Sequence, residues 1–174
     1  MANMRIDGEK IYLTPISDED LADFVRWRNS QLVRERYIYR GEFTIEGQKA
    51  WIKSHVDTGE TIQYIIWDKQ DDKRIGCVYI QDIDNVNHKG EYGIFIGEED
   101  YLGGGRGREA AELIVDYAFS HLSMHKIYLR VLSDNIRAYK SYEHAGFVKE
   151  GLFHDDVCID GLYHDVIFMA RYKD

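Results

Sequence analysis

Between Glu91 and Glu112 the chain reads Glu-Tyr-Gly-Ile-Phe-Ile-Gly-Glu-Glu-Asp-Tyr-Leu-Gly-Gly-Gly-Arg-Gly-Arg-Glu-Ala-Ala-Glu. A run rich in Ile, Phe and Tyr predicts a strand, an acidic turn follows, and glycines stand at 103, 104, 105 and 107. Leu113, Ile114, Tyr117, Ala118 and Leu122 then recur at helical spacing. Glycines with no Cβ let successive backbone N–H groups point into one concavity. A helix opening on that turn adds unpaired N–H groups and the positive end of its dipole. The plainer reading is a flexible surface turn; strand, glycines and helix in direct succession favour an anion cradle shaped for a pyrophosphate. The spacing is neither G-x-G-x-x-G with an acidic residue about 20 positions on, nor a loop ending in G-K-[ST], so dinucleotide and Walker-type readings fall away.

Composition narrows the setting. The 174 residues suit one domain over 1–174, large enough for a real core. A formal charge of −9 lacks the basic footprint nucleic acid requires, and leaves room for a cationic substrate. No apolar run approaches the roughly 18–20 residues of a membrane span, and the first residues lack the apolar stretch of a secretory signal. A cytoplasmic protein with no nucleic-acid or membrane partner is the expectation. Cys77 and Cys158 sit singly in strand-like runs and read as small buried thiols. His121, His125 and His154 lack metal-ligand spacing, so no metal is expected.

Taken in order, Ile11–Leu13 is a short strand, and Ser17 with Asp20 forms a near capping box for a helix ending near Asn29. Residues 30–43, rich in Tyr and Arg, read as a loop or short helix bordering a cleft. Thr44 caps a second helix packed through Ile45, Trp51, Ile52 and Val56, with Gly59 ending it. Strands follow over 61–69, 74–82 and 90–97, then the glycine turn and its helix. Another strand spans 126–132 and another helix 134–145, closed by Gly146. A final hairpin, 152–159 and 162–172, turns on Asp160-Gly161, a type I′ signal. The order describes an α+β domain with a central mixed sheet.

Two motifs give the chain a family likeness. Leu102-Gly-Gly-Gly105-Arg-Gly107 is similar to the acyl-CoA signature [RQ]-x-x-G-x-[GA] of the GNAT superfamily of N-acetyltransferases, with Leu at the first position. Tyr101-Leu-Gly-Gly-Gly105 resembles the Tyr-Trp-Gly-x-Gly of the branch that acetylates ribosomal-protein N-termini and polyamines. Asn135, Ala138, Tyr142, Gly146 and Phe147 match the family's N-x-x-A-x-x-x-Y-x-x-x-G-F. The elements Tyr12-Leu-Thr-Pro-Ile16 and Asp160-Gly-Leu-Tyr-His-Asp165 also fit, so the resemblance covers nearly the whole chain. It implies the GNAT fold: a mixed seven-stranded sheet with splayed fourth and fifth strands, flanked by about four helices. It also implies transfer of acetyl from acetyl-CoA, as cosubstrate, to a primary amine.

By the same resemblance, the backbone of Ile94, Phe95 and Ile96 binds the CoA arm as an added strand. The N–H groups from Gly103, Gly104 and Gly105 through Arg106, Gly107 and Arg108, with Leu102 before them, hold the pyrophosphate. Arg106 and Arg108 add charge there or are simply solvated. Asn135 and Tyr142 lie seven residues and about 10 Å apart on one helical face, one for the arm and one for the sulfur. Tyr142 is the candidate general acid, its phenol having a reference pKa near that of a thiol; the alternative is a packed core tyrosine. Glu91, on the strand face shared with Gly93 and Phe95, is the candidate base; a strand glutamate paired with Lys89, with water as base, is the other reading.

Trp27, Arg28, Asn29 and Tyr37 are the candidate acceptor residues, against plain packing of the tryptophan and solvation of the arginine. The Trp-Arg-Asn element resembles acetyltransferases of nucleotide-linked amino sugars. The acceptor remains open among a protein N-terminus or peptide, a polyamine or other small amine, and an amino-sugar nucleotide. A non-catalytic CoA-binding sensor is the reading from another class, which intact Asn135 and Tyr142 disfavour. Family members are often homodimers, and the sequence leaves the assembly open.

Overall fold

The computed structural model describes residues 4–174. Eight strands form one sheet: β1 (Ile6–Asp7), β2 (Ile11–Pro15), β3 (Ile62–Asp68), β4 (Lys73–Asp84), β5 (Lys89–Ile96), β6 (Lys126–Leu132), β7 (Val148–Ile159) and β8 (Leu162–Tyr172). Their spatial order is β1-β2-β3-β4-β5-β6-β8-β7. Every neighbouring pair is antiparallel except β5 and β6, which run parallel. The sheet thus carries one strand more than the seven expected. The extra strand is the two-residue β1, too short for alternation to register in the sequence.

Five α-helices cover the two faces. α1 (Leu21–Asn29), α2 (Gln31–Arg34) and α3 (Ile45–Trp51) precede β3; α4 (Arg106–His121) and α5 (Ile136–His144) flank β6. Alternation along the strands separates two cores. Tyr64 and Ile66 of β3, Val78 and Ile80 of β4, and Tyr92 of β5 pack with Ile114, Val115 and Ala118 of α4. Ile65, Cys77 and Phe95 point the other way and pack on Phe24 and Trp27 of α1. The result is a three-layer arrangement in which neighbouring residues of β5 serve opposite faces.

Local signals account for the element ends. The Ser17 N–H donates to the Asp20 carboxylate at 2.8 Å, opening the 3₁₀ turn that leads into α1. Thr44 caps α3 by accepting from the Gly47 N–H, and Asp160 and Gly161 both take positive φ in the final hairpin. Three expectations are corrected. Ile45 is 39% exposed rather than packed, because α3 turns Gln48 inward instead. Cys158 is exposed, because β7 is an edge strand with its outer side unpaired; Cys77 alone is buried. β7 starts at Val148 rather than 152, with register breaks at Lys149/Gly151 and Phe153/Val157 that blur its alternation.

Candidate active site

The only parallel pairing among the described residues is also incomplete. β5 and β6 pair at Lys89↔Lys126, Gly90↔Ile127 and Glu91↔Tyr128, and no further. Past that point β5 stays on β4 as far as Ile96, and β6 stays on β8 as far as Leu132. The two strands therefore diverge as intact ladders, and the fork opens a cleft of about 750 Å³ through the sheet. One edge of β5 is left with unpaired backbone groups, a template for an extended ligand. Ile94, Phe95 and Ile96 lie along it, and all three line the cleft.

The glycine turn closes the far end. Gly103, Gly104 and Gly105 take φ of 83°, 62° and 84°, a left-handed run that residues with a Cβ adopt only under strain. Gly105 is the N-cap of α4 and supplies no side chain, so among the described residues no side chain caps the first N–H groups of the helix. Leu102, Gly103, Gly105, Gly107 and Arg108 face the cleft. Gly104 and Arg106 face the other way and, with Lys10 and Asp68, border a second hollow of about 500 Å³. There the Arg106 guanidinium meets Asp68 at 2.6 Å, and Lys10 Nζ donates to the Gly104 carbonyl at 2.8 Å. Arg106 thus anchors the turn from behind. Arg108 lies on the cleft side, partnered with Glu112 at 2.8 Å.

α5 supplies the second wall. Asn135 caps it, its side-chain oxygen accepting from the Ala138 N–H at 3.3 Å, and the residue also lines the cleft. Tyr142, two turns on, lines it too, its ring 5.8 Å from that of Tyr92. Burial, and secondarily the proximity of Tyr79, pushes the Tyr142 phenol well above its ordinary value of 10.0. Burial likewise raises Tyr37, Tyr79 and Tyr92. All four phenols therefore carry their protons at neutral pH. Tyr37 donates to the Ile94 carbonyl at 3.0 Å and lies 3.2 Å from the Tyr79 hydroxyl, so the α1 side reaches into the fork.

Glu91 sits where the fork divides. It is 7% exposed, held by Arg130 at 2.7 Å and by the Gln81 amide at 3.1 Å. Arg130 belongs to the diverging strand β6, so this ion pair spans the last paired position of the ladder. Of the remaining candidates, Arg28 and Tyr37 line the cleft, whereas Trp27 and Asn29 stand behind its wall. The Trp27 indole N–H donates to Glu98 at 2.7 Å, and its ring packs over Gly97. Asn29 clamps the Phe43 backbone, donating to its carbonyl at 2.8 Å and accepting from its N–H at 2.9 Å.

Residues 10–148 match the family described as the acetyltransferase (GNAT) domain. The spermidine N(1)-acetyltransferase of Escherichia coli (strain K12) is 34% identical over 95% of this chain and 88% of its own length. The spermidine N-acetyltransferase of Vibrio cholerae, solved with CoA and spermine, superposes with a TM-score of 0.87 at 25% identity, over 95% of this chain and 96% of that one; a further structure of that enzyme is described as dodecameric. The ribosomal-protein-S5-alanine acetyltransferase of Vibrio fischeri shares the fold, with a TM-score of 0.86 at 24% identity over 98% and 97% of the two chains. The chain belongs to the GNAT acetyltransferases.

It is accordingly an acetyl-CoA-dependent N-acetyltransferase acting on an amine. The chemistry of the cleft fits that cosubstrate: uncapped N–H groups suit a pyrophosphate, and an unpaired strand edge suits an amide-bearing arm. Several lining residues of this GNAT chain lie outside the sequence motifs: Tyr79, Gln81, Tyr92, Arg130 and Trp51. For Arg130 no local signal existed, since alternation between Leu129 and Val131 reads as an ordinary outward-facing strand arginine.

The Asp68–Arg106 bridge behind the turn yields a prediction. Burial alone would raise the Asp68 carboxyl; Arg106 and the Asp71 and Gln70 N–H groups outweigh it and hold the carboxyl below the usual 3.8. A lowered folded pKa contributes stability above the unfolded value and loses it as pH falls through the folded one. Asp68→Asn should cost about 2 kcal/mol at pH 7, below the full loss of a buried pair because Arg106 is partly solvated. The same variant should show a shallower loss of stability between about pH 4 and pH 2 in denaturant titrations.

Proposed function

We propose that this GNAT enzyme acetylates a primary amine entering from the α1–α3 side of the cleft, with Tyr142 as general acid and Glu91 as base. The observation that carries this reading is the fork itself. Tyr142 comes from the α5 face of the sheet and Glu91 from the α1 face, and only where β5 and β6 part can groups from both faces meet one substrate. Acetyl-CoA, when bound, supplies a thioester carbonyl open to attack by an amine. The unpaired β5 edge and the Gly103–Arg108 N–H groups hold and orient it. Tyr142, protonated at neutral pH, delivers a proton to the departing sulfur. Glu91, kept in place by Arg130 and Gln81, receives the proton of the attacking amine, directly or through water.

Two acceptor classes have support. Polyamines are the substrates named for the relatives at 34% identity, and the net charge of −9 suits a cationic acceptor. Amines that also bear an acid group, amino-sugar nucleotides among them, are supported by Arg28 and Arg36 on the acceptor wall. The cytoplasm is the proposed setting.

Self-association belongs to the same proposal. β7 is a sheet edge, and the β7–β8 hairpin exposes Leu152, Phe153, Leu162 and Tyr163. A second copy of this chain is the proposed occupant of that edge, in keeping with the dodecameric Vibrio cholerae relative. Light scattering should give a mass of at least twice 20.4 kDa; a monomer at micromolar concentration would overturn this part.

Thiol release from acetyl-CoA over a panel of polyamines, peptides and amino sugars tests the activity. With an accepted amine, Tyr142→Phe should lower kcat by about 10²–10⁴-fold while CoA affinity stays within a few fold. An unchanged kcat would remove Tyr142 as the acid.

A further inference from the structure

The acceptor wall holds a buried cation with no anion to meet it. Arg28 is 6% exposed and lines the cleft. Among the described residues it makes no hydrogen bond and has no carboxylate within 4.0 Å. Its guanidinium carbon lies 3.9 Å from the Tyr37 ring centre, 4.4 Å from that of Phe43 and 5.6 Å from that of Phe95. Such rings hold the plane of a guanidinium and offset part of its desolvation, but they offer no lone pairs to its N–H fork.

Three carboxylates of this region are already engaged, and a fourth, Glu42 on the cleft wall, forms no ion pair with Arg28 among the described residues. Asp20 holds Arg74 at 2.7 Å, Glu98 holds Arg26 and Lys73, and Glu91 holds Arg130. The arginines of the neighbouring loop serve the backbone: Arg34 donates to the Arg40 carbonyl, and Arg40 to the carbonyls of Glu35 and Tyr37. Arg28 is set apart from these by having stacking partners and no acceptor. A buried charge left without a counter-ion is costly, and a planar fork held at the rim of a substrate cleft matches a carboxylate or phosphate in two-pronged geometry.

We infer that Arg28 is an oxyanion subsite, and that the amine this enzyme acetylates carries a carboxylate or a phosphate. The inference rests on the amine-acetyltransferase reading and selects between its two acceptor classes. A free polyamine would bring further positive charge beside a guanidinium with no carboxylate in ion-pair reach. An anionic acceptor would supply the missing partner and be oriented by it, its amine end directed to the fork at Glu91 and Tyr142. Arg36, exposed on the same wall, widens the positive field at the mouth.

Paired substrates that differ by one acid group provide the test. Wild type is assayed with 1,5-diaminopentane against lysine, and with ethanolamine against O-phosphoethanolamine; the first pair reads a carboxylate, the second a phosphate. Expected is a kcat/KM at least tenfold higher for the anionic member of one pair, expressed mainly in KM. Arg28→Gln should erase that preference, and Arg28→Lys should keep part of it. Equal or reversed preference in both pairs, or a preference that survives Arg28→Gln, overturns the subsite. Thermal shifts decide the point without turnover. With the Gly103–Arg108 cradle first saturated with CoA, glutarate or inorganic phosphate should raise the Tm of wild type by several degrees over chloride at equal ionic strength, and should not raise that of Arg28→Gln. Equal shifts in the two proteins overturn the subsite. Absence of turnover with every amine, with the thermal difference intact, counts instead against the acetyltransferase reading.

Discussion

The parallel ladder between β5 and β6 stops after three residue pairs, and the rest of the site depends on that stop. A continuous sheet keeps its two faces apart by the thickness of a backbone. Here both strands remain bonded on their outer sides, so the gap costs no fraying elsewhere and exposes one unpaired edge in the middle of the protein. Unpaired backbone inside a fold is unfavourable, and the Tyr37 hydroxyl meets part of that need by donating to Ile94. The glycine turn and the uncapped start of α4 stand at the end of the same gap, so one opening joins an anion cradle, a strand-like edge and groups from both faces.

The charges are arranged around that geometry. Glu91 and Arg130 bridge the two strands at the point of divergence, and loss of Arg130 would leave the largely buried Glu91 carboxylate without its cation. Their pairing fixes the Glu91 carboxylate at the base of the cleft. The surrounding phenols are all kept protonated by burial, so the cleft presents neutral donors beside two carboxylates, Glu91 and Glu42. Arg28, stacked on the α1 side, is the one buried cation there that no described side chain balances.

Much of the fold was readable from the residues. The strand over 126–132, the helix after the glycine turn and the Asp160-Gly161 hairpin follow from alternation, helical period and turn chemistry acting locally. Where local signals are weak or interrupted the reading failed: β1 has two residues, and two register breaks hide the start of β7. The site divided along the same line. Residues whose role is written in the backbone, the glycines and the cap Asn135, announce themselves by type and spacing. Roles assigned by tertiary partners do not. Nothing local indicates that Arg106 turns to Asp68 while Arg108 faces the cleft, or that Trp27 packs over Gly97 while its neighbour Arg28 reaches the substrate side. Glu91 reads equally well as a surface strand residue until Arg130 is brought across the fork.

The central claim is that the fork between β5 and β6 seats the cosubstrate. Amide hydrogen exchange with and without CoA measures it directly, because backbone groups at an unpaired edge exchange freely until something pairs with them. Slower exchange is expected at Ile94–Ile96 and across Gly103–Arg108, with little change in β2 and β3. Unchanged exchange along both segments at saturating CoA would contradict the claim.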